Sequence, residues 1–246
     1  ADYGTAGAVK NAYEHLDSRF IIISGDVLTD FDISKAIDFH VEKGSKATIL
    51  LTRVTKPLQY GIVMTDDDSR ITRFLEKHSW GQVFSDTINT GIYILEPEVL
   101  DLIPYQEEFD FSKDLFPEML RRDMPLYGYI SEGYWRDVGN LNEYQGGQID
   151  ALKQVVKVKE KGVEKDDSLV GENCKIAPTA KLSGRNIIGN NVEIGDHSEL
   201  TDCVIGNNCK IGMGAKLLRS TMWENSKTGD FTSLTDDVVC SNVDIG

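Results

Sequence analysis

Two aspartates stand where phosphate chemistry would need them. Asp26 closes the apolar run Phe20-Ile-Ile-Ile-Ser-Gly-Asp26, and Asp137 closes the aromatic stretch Gly133-Tyr-Trp-Arg-Asp137. In open α/β sheets ligands gather beyond the carboxyl ends of strands, where an aspartate can hold a magnesium ion against phosphates. Two carboxylates from distant segments can clamp one such ion. That suits transfer of a nucleotidyl group, in which catalysis rests on positioning and charge neutralisation. Each aspartate also has a plainer role open to it: Asp26 as a cap for residues 30–33 leading into the next helix, Asp137 as a cap for a helix that starts near Asn140.

Other residues could serve the same chemistry. The opening Asp2-Tyr-Gly-Thr-Ala-Gly-Ala8 is a glycine-containing loop running into a helix, so its N–H groups can face a nucleotide. Glu76 and Lys77 follow an expected strand over 70–75 and offer an acceptor for sugar hydroxyls beside a cation for a phosphate. A solvated surface pair is the alternative for these two.

The elements that must position these groups follow from periodicity. Over 8–150, short aliphatic runs alternate with amphipathic stretches, as in a mixed α/β domain. Helices are expected over 8–16, 33–43, 112–122 and 141–153. Strands are expected over 20–24 (fully buried), 47–54, 60–65, 70–75, 89–95 and 126–131. A Lys-, Glu- and Asp-rich run over 155–167 is read as a linker between domain 1–154 and domain 168–246. In the latter, aliphatic residues recur every six positions at Val170, Ile176, Leu182, Ile188, Ile194 and Leu200, and after a slip of one residue at Ile205, Ile211, Leu217 and Trp223. Small residues such as Cys174, Ala180, Val192, Ser198, Cys203, Cys209 and Ala215 precede most anchors by two, so each short strand points a small and a large side chain into one core. Asn190-Asn191 and Asn207-Asn208 supply corners that tolerate left-handed backbone. This is a hexapeptide-repeat parallel β-helix. Its exposed side chains show no evident apolar stripe, and the pattern weakens beyond Trp223.

Composition excludes several functions. Lys and Arg total 26 against 40 for Asp and Glu, a formal charge of −14 with no basic cluster, so nucleic acid is not an expected partner. No apolar run has the length of a membrane span and no leader opens the chain, which is read as cytoplasmic. The four cysteines form no CxxC pair and are expected to be buried small apolar residues.

The order Tyr-Gly-Thr-Ala-Gly, Ser-Gly-Asp-Val-Leu-Thr-Asp, Tyr-Gly-Ile-Val, Phe-Leu-Glu-Lys, Ile-Asn-Thr-Gly-Ile-Tyr-Ile-Leu and Tyr-Trp-Arg-Asp-Val-Gly resembles the sugar-1-phosphate nucleotidyltransferases. Within that family the chain resembles mannose-1-phosphate guanylyltransferases, including forms fused to a phosphomannomutase-like domain, with a glucose-1-phosphate uridylyl-, adenylyl- or thymidylyltransferase as the alternative. The resemblance implies a Rossmann-like, GT-A-like mixed sheet followed by a left-handed parallel β-helix, and magnesium as cofactor. It implies that Gly4 and Thr5 lie against the nucleotide and that Asp26 and Asp137 bind the metal. It further implies that Gly61 and Lys77 meet the sugar phosphate, while Glu76 and Asn89 meet the sugar. Lys77, Asp26 and Asp137 are the implied catalytic residues, acting on a nucleoside triphosphate and a sugar 1-phosphate. His78 stands where the family usually has proline. The family's Gly-rich triphosphate loop precedes the Tyr-Gly-Thr-Ala-Gly segment, so residues 1–246 read as an N-terminally shortened chain that would not cleave a triphosphate alone.

Two other readings compete. A hexapeptide-repeat acyltransferase would need His197 as a general base, whereas an exposed corner histidine between Ile194 and Leu200 is the simpler role. A non-catalytic regulatory subunit is the second. The β-helix is expected to carry self-association as a homo-oligomer, with contacts beyond Ser168.

Overall fold

The run Ala47-Thr-Ile-Leu-Leu-Thr52 offers water no face, and a strand built from it belongs between two layers. The computed structural model describes residues 2–16, 18–57, 60–75, 85–159, 162–165 and 167–246. Its first compact unit is Ala1–Asp137 and its second Val138–Gly246.

In chain order the first unit contains α1 (Gly4–Lys10), β1 (Phe20–Ile23), β2 (Val27–Thr29), α2 (Ile33–Glu42), β3 (Ala47–Arg53), β4 (Ile62–Thr65), β5 (Ile71–Leu75), β6 (Thr87–Leu95), α3 (Phe116–Arg121), β7 (Leu126–Ile130) and β8 (Trp135–Asp137). The main sheet runs β5-β4-β6-β3-β7, with β1 also paired to β6; only the β3–β7 pair is parallel. Alternation along β3 makes two cores. Ile49 and Leu51 join Tyr93, Phe111, Phe116 and Met119 on one face, and Leu50 joins Phe31, Ala36, Ile92 and Ile94 on the other.

Two expectations need correction here. The stretch 20–24 is not fully buried: β1 alternates, with Ile21 39% and Ile23 51% exposed, because β6 is its one strand partner among the described residues. The expected helix over 112–122 opens as a π turn, Phe111–Leu115, before becoming α3.

Beneath β3, the fully buried His40 of α2 meets Thr48 Oγ1 at 2.8 Å through Nδ1 and Glu96 Oε1 at 3.2 Å through Nε2. Burial lowers its pKa from the ordinary value, an effect stronger than the opposing hydrogen bond to Glu96. The folded protein therefore holds a neutral ring while the unfolded chain takes up a proton below about pH 6.5. The stability His40 contributes is present above that pH and is lost as pH falls. Urea midpoints at pH 7.5 and 5.5 should draw together for wild type and His40→Gln as the medium is acidified. A difference between them that ignores pH would remove this assignment.

In the second unit α4 (Leu141–Leu152) is followed by β9 (Val163–Lys165), which lies within the expected linker and pairs antiparallel with β10 (Ser168–Val170). Three parallel ladders of short strands then stack the coils. The anchors through Leu217 face one core, but Trp223 does not: it is 42% exposed, and the fully buried Met222 stacks on Ile205 instead. The register slips a second time at Met222 and a third at Val239, and the anchors continue through Thr228, Leu234, Val239 and Ile245. Asn191, Asn208 and Asn225 take φ of 58°, 58° and 59° at one corner, and their amides bond in a ladder with 3.0 Å steps. Cys203 and Cys209 are buried as expected, whereas Cys240 is exposed.

An apolar stripe does exist. The residue before each anchor points outward, and on one ladder these are Leu169, Ile187, Val204, Thr221 and Val238. Helix α4 lies on this ladder: Thr221 Oγ1 donates to Gln148 Oε1, Trp223 Nε1 donates to Tyr144 Oη at 2.9 Å, and Gln145 Nε2 donates to the Asp236 carbonyl at 2.5 Å. The equivalent positions on a second ladder are Lys175, Glu193, Lys210, Lys227 and Asp244, which pair with one another at 2.7–3.1 Å.

Candidate active site

Strand β2 is three residues long, too short for its periodicity to register in the sequence, yet it sets the site. It pairs antiparallel with β8, Val27 opposite Asp137 and Thr29 opposite Trp135. A clasp holds the pair. Asp30 Oδ1 accepts from the Tyr134 N–H at 2.7 Å and Thr29 Oγ1 donates to the Tyr134 carbonyl at 2.8 Å. Gly133, at φ 127°, lets the strands close, since a Cβ there would stand 2.6 Å from Asp30 Oδ1. Trp135 Nε1 donates to the Thr90 carbonyl at 3.0 Å, and the Tyr60 ring meets the Trp135 ring edge-on at 5.4 Å.

The consequence is that Asp26, just before β2, and Asp137, at the end of β8, line one cavity of about 220 Å³ together with Ser24, Tyr60, Asn89 and Trp135. Neither aspartate caps a helix. The α2 cap is Asp32, whose side chain accepts from the Ser34 and Lys35 N–H groups, and the α4 cap is Asn140, which accepts from the Glu143 N–H at 3.1 Å. Among the described residues no group of three or more His, Cys, Asp or Glu could form a protein-only metal cage. Two carboxylates in one cavity nevertheless fit magnesium, a hard cation commonly held by one or two carboxylates together with substrate phosphates and water.

The remaining expected residues fall into two groups. Asn89 lines the same cavity, and its N–H donates to the Gly61 carbonyl at 2.9 Å, so Gly61 lies beside it. Thr5 lines a second cavity, and Gly4 precedes it in the chain. Thr5, Ser24, Tyr93, Asp110 and Ser112 line about 340 Å³, and Ser24 is common to both cavities. Gly4, at φ 64°, donates its N–H to Asp2 Oδ1 at 3.1 Å and passes so close to Phe109 that a Cβ would stand 2.7 Å from that carbonyl oxygen. Glu76, Lys77 and His78 lie outside the described residues. Ser24, Tyr60, Trp135 and Ser112 were not singled out in the sequence; Tyr60 and Trp135 stood inside the quoted motifs, while Ser112 had no signal of its own.

The β-helix offers a larger groove, about 650 Å³, but its lining lysines and Glu193 are already ion-paired along the ladder, and Asp196 and Asp230 accept from Thr179 Oγ1 and the Met213 N–H. His197 is an exposed corner residue at φ 58° whose backbone N–H donates to Thr179 Oγ1 at 3.0 Å. The geometry thus assigns no base to this histidine and leaves the first unit as the place for chemistry.

A mixed α/β sheet with a carboxylate pair at its strand ends, followed by a hexapeptide β-helix, defines the architecture of a nucleotide-sugar enzyme class. The chain belongs to the nucleotidyl transferase family, whose model matches residues 1–154; a bacterial transferase hexapeptide model matches residues 187–219. It is 34% identical to a UTP–glucose-1-phosphate uridylyltransferase of Synechocystis sp. over 96% of this chain and 63% of that protein. It is 32% identical to a mannose-1-phosphate guanylyltransferase of Mycobacterium tuberculosis over 82% of this chain and 56% of that one. A mannose-1-phosphate guanyltransferase of Candida albicans is 34% identical over 99% of this chain and 64% of its own length. The chain therefore spans somewhat over half the length of these relatives. Among solved structures, HddC from Yersinia pseudotuberculosis complexed with GMP-PN superposes with a TM-score of 0.51 at 27% identity, covering 60% of this chain and 62% of that one. Among the described residues no helix is long and apolar enough to cross a membrane.

Proposed function

We propose that the protein transfers a nucleotidyl group from a nucleoside triphosphate to a sugar 1-phosphate, with GTP and mannose 1-phosphate giving GDP-mannose and pyrophosphate. The observation that carries this reading is the convergence of Asp26 and Asp137 on one cavity that also contains Asn89. A phosphate oxygen of the sugar 1-phosphate forms a bond to the α-phosphorus as the bond from that phosphorus to the pyrophosphate oxygen breaks, so the chain supplies no covalent intermediate. Asp26 and Asp137 would hold a magnesium ion, which supplies neutralisation of phosphate charge when bound. Gly4 and Thr5 serve the nucleotide side. Gly61, Glu76, Lys77 and Asn89 serve the sugar-phosphate side, Lys77 by neutralising phosphate charge.

The test is pyrophosphate release by the natural full-length protein, supplied with magnesium and either GTP with mannose 1-phosphate or UTP with glucose 1-phosphate. Preference for the first pair is expected. The similarity to the Synechocystis protein over 96% of this chain favours uridylyl transfer as the second reading, and preference for the UTP pair would select it. No pyrophosphate from any nucleotide and sugar-phosphate pair would sink both.

A further inference from the structure

One short element, the π turn Phe111–Leu115, lines the second cavity through Phe111 and Ser112 and touches Asn89 of the first through Ser112. π turns are rare and widen the helix locally, which costs regular hydrogen bonding and recurs near functional sites. Asp110 caps the turn with Oδ1, which accepts from the Ser112 and Lys113 N–H groups at 2.8 and 3.2 Å. Its Oδ2 accepts from the Thr5 hydroxyl at 2.8 Å, and Thr5 Oγ1 in turn accepts from the Phe111 N–H at 3.1 Å. Two residues along from Asp110, Ser112 Oγ accepts from Asn89 Nδ2 at 3.2 Å.

The Asn89 amide is held in one orientation. Its nitrogen donates to Ser112 Oγ and, at 3.0 Å, to Tyr93 Oη, while Oδ1 accepts from the Gly91 N–H at 3.0 Å. Turning the amide over would set its NH₂ group against the Gly91 N–H, donor against donor, so the backbone settles the assignment. Gly91 is itself held in place, its carbonyl accepting from the Ser24 N–H at 3.0 Å. Both amide hydrogens are thus committed, and one lone pair on Oδ1 remains.

We propose that Ser112 is a positioning residue for the sugar side of the site: by accepting the second hydrogen of an amide that Gly91 already orients, it leaves Asn89 only an acceptor toward the ligand, one that binds a donating hydroxyl of the sugar and not an accepting group. This rests on the sugar-nucleotide reading given above. In the natural full-length protein, GDP-mannose and GDP would be titrated calorimetrically in magnesium against wild type, Ser112→Ala, Ser112→Thr, Asn89→Ala and the Asn89→Ala/Ser112→Ala double variant. Ser112→Ala is expected to weaken GDP-mannose binding about tenfold, the scale of one hydrogen bond, and to leave GDP, which lacks the sugar, within about twofold. Ser112→Thr, which keeps the hydroxyl, should restore GDP-mannose affinity, and Ser112→Ala should add nothing in the Asn89→Ala background. Equal weakening of GDP and GDP-mannose, or an effect of Ser112→Ala that persists without Asn89, would overturn the inference alone. Failure of the unaltered protein to bind GDP-mannose or UDP-glucose would overturn the sugar-nucleotide reading, and the inference with it.

Discussion

Replacing Ile194 with aspartate is expected to unfold several coils of the β-helix. Ile194 is 3% exposed and stacks between Ile176 and Ile211 on neighbouring coils. A carboxylate there has no partner, and burying an unpaired polar or charged group costs several kcal/mol. Each coil is stabilised by contact with its neighbours, so loss at one spreads along the stack. The adjacent Glu193 makes a sharp control. It faces outward between Lys175 and Lys210 at 3.0 and 3.1 Å, and those lysines hold its carboxyl below the usual carboxylate range. Exposed pairs of this kind contribute little, so Glu193→Ala should melt close to wild type. Circular dichroism with thermal melting distinguishes the two, and an Ile194→Asp protein that melts like wild type would refute the stacked-core account.

Asp26→Asn and Asp137→Asn are each expected to remove most magnesium-dependent pyrophosphate release while leaving the melting temperature nearly unchanged. Loss of a metal-holding charge at the reacting phosphates should raise the barrier by several kcal/mol, a fall in rate on the order of a thousandfold. Stability should be spared because Asp26 is exposed, Asp137 is half-buried, and neither is the cap of α2 or α4. Asp30→Ala should behave differently. Its carboxylate clasps the Tyr134 N–H, so the loss should appear in the melting curve as well as in the rate. Near-normal turnover in both the Asp26 and Asp137 variants would end the metal assignment.

The β-helix was legible because a stacked coil repeats its requirements. Every strand must send one small and one large apolar side chain inward, and that demand writes a period of six into the chain from Val170 onward. The apolar stripe was harder to see. It recurs only on every third strand, at Leu169, Ile187, Val204, Thr221 and Val238, and is diluted by lysines and acids on the other two ladders. Trp223 was misassigned because its neighbour Met222 is also apolar, and the choice between them turns on a second one-residue slip that local pattern does not encode.

In the first unit, residue type alone marked Asp26 and Asp137 as ends of apolar or aromatic runs, since a carboxylate following such a run is unusual unless it has work to do. The run 47–54 was legible as a strand, but that β3 is the buried centre was decided by the tertiary structure. The sequence could not say that the two aspartates meet. That depends on β2, whose three residues are stabilised by pairing with β8 far along the chain and by the Asp30–Tyr134 clasp, not by local propensity. Nor could it say what Asn89 offers a ligand. The amide's donors are consumed by Tyr93 and Ser112, one on its own strand and one on a distant turn, and hydrogen-bond saturation is a property of the neighbourhood that folding brings together, not of the residue.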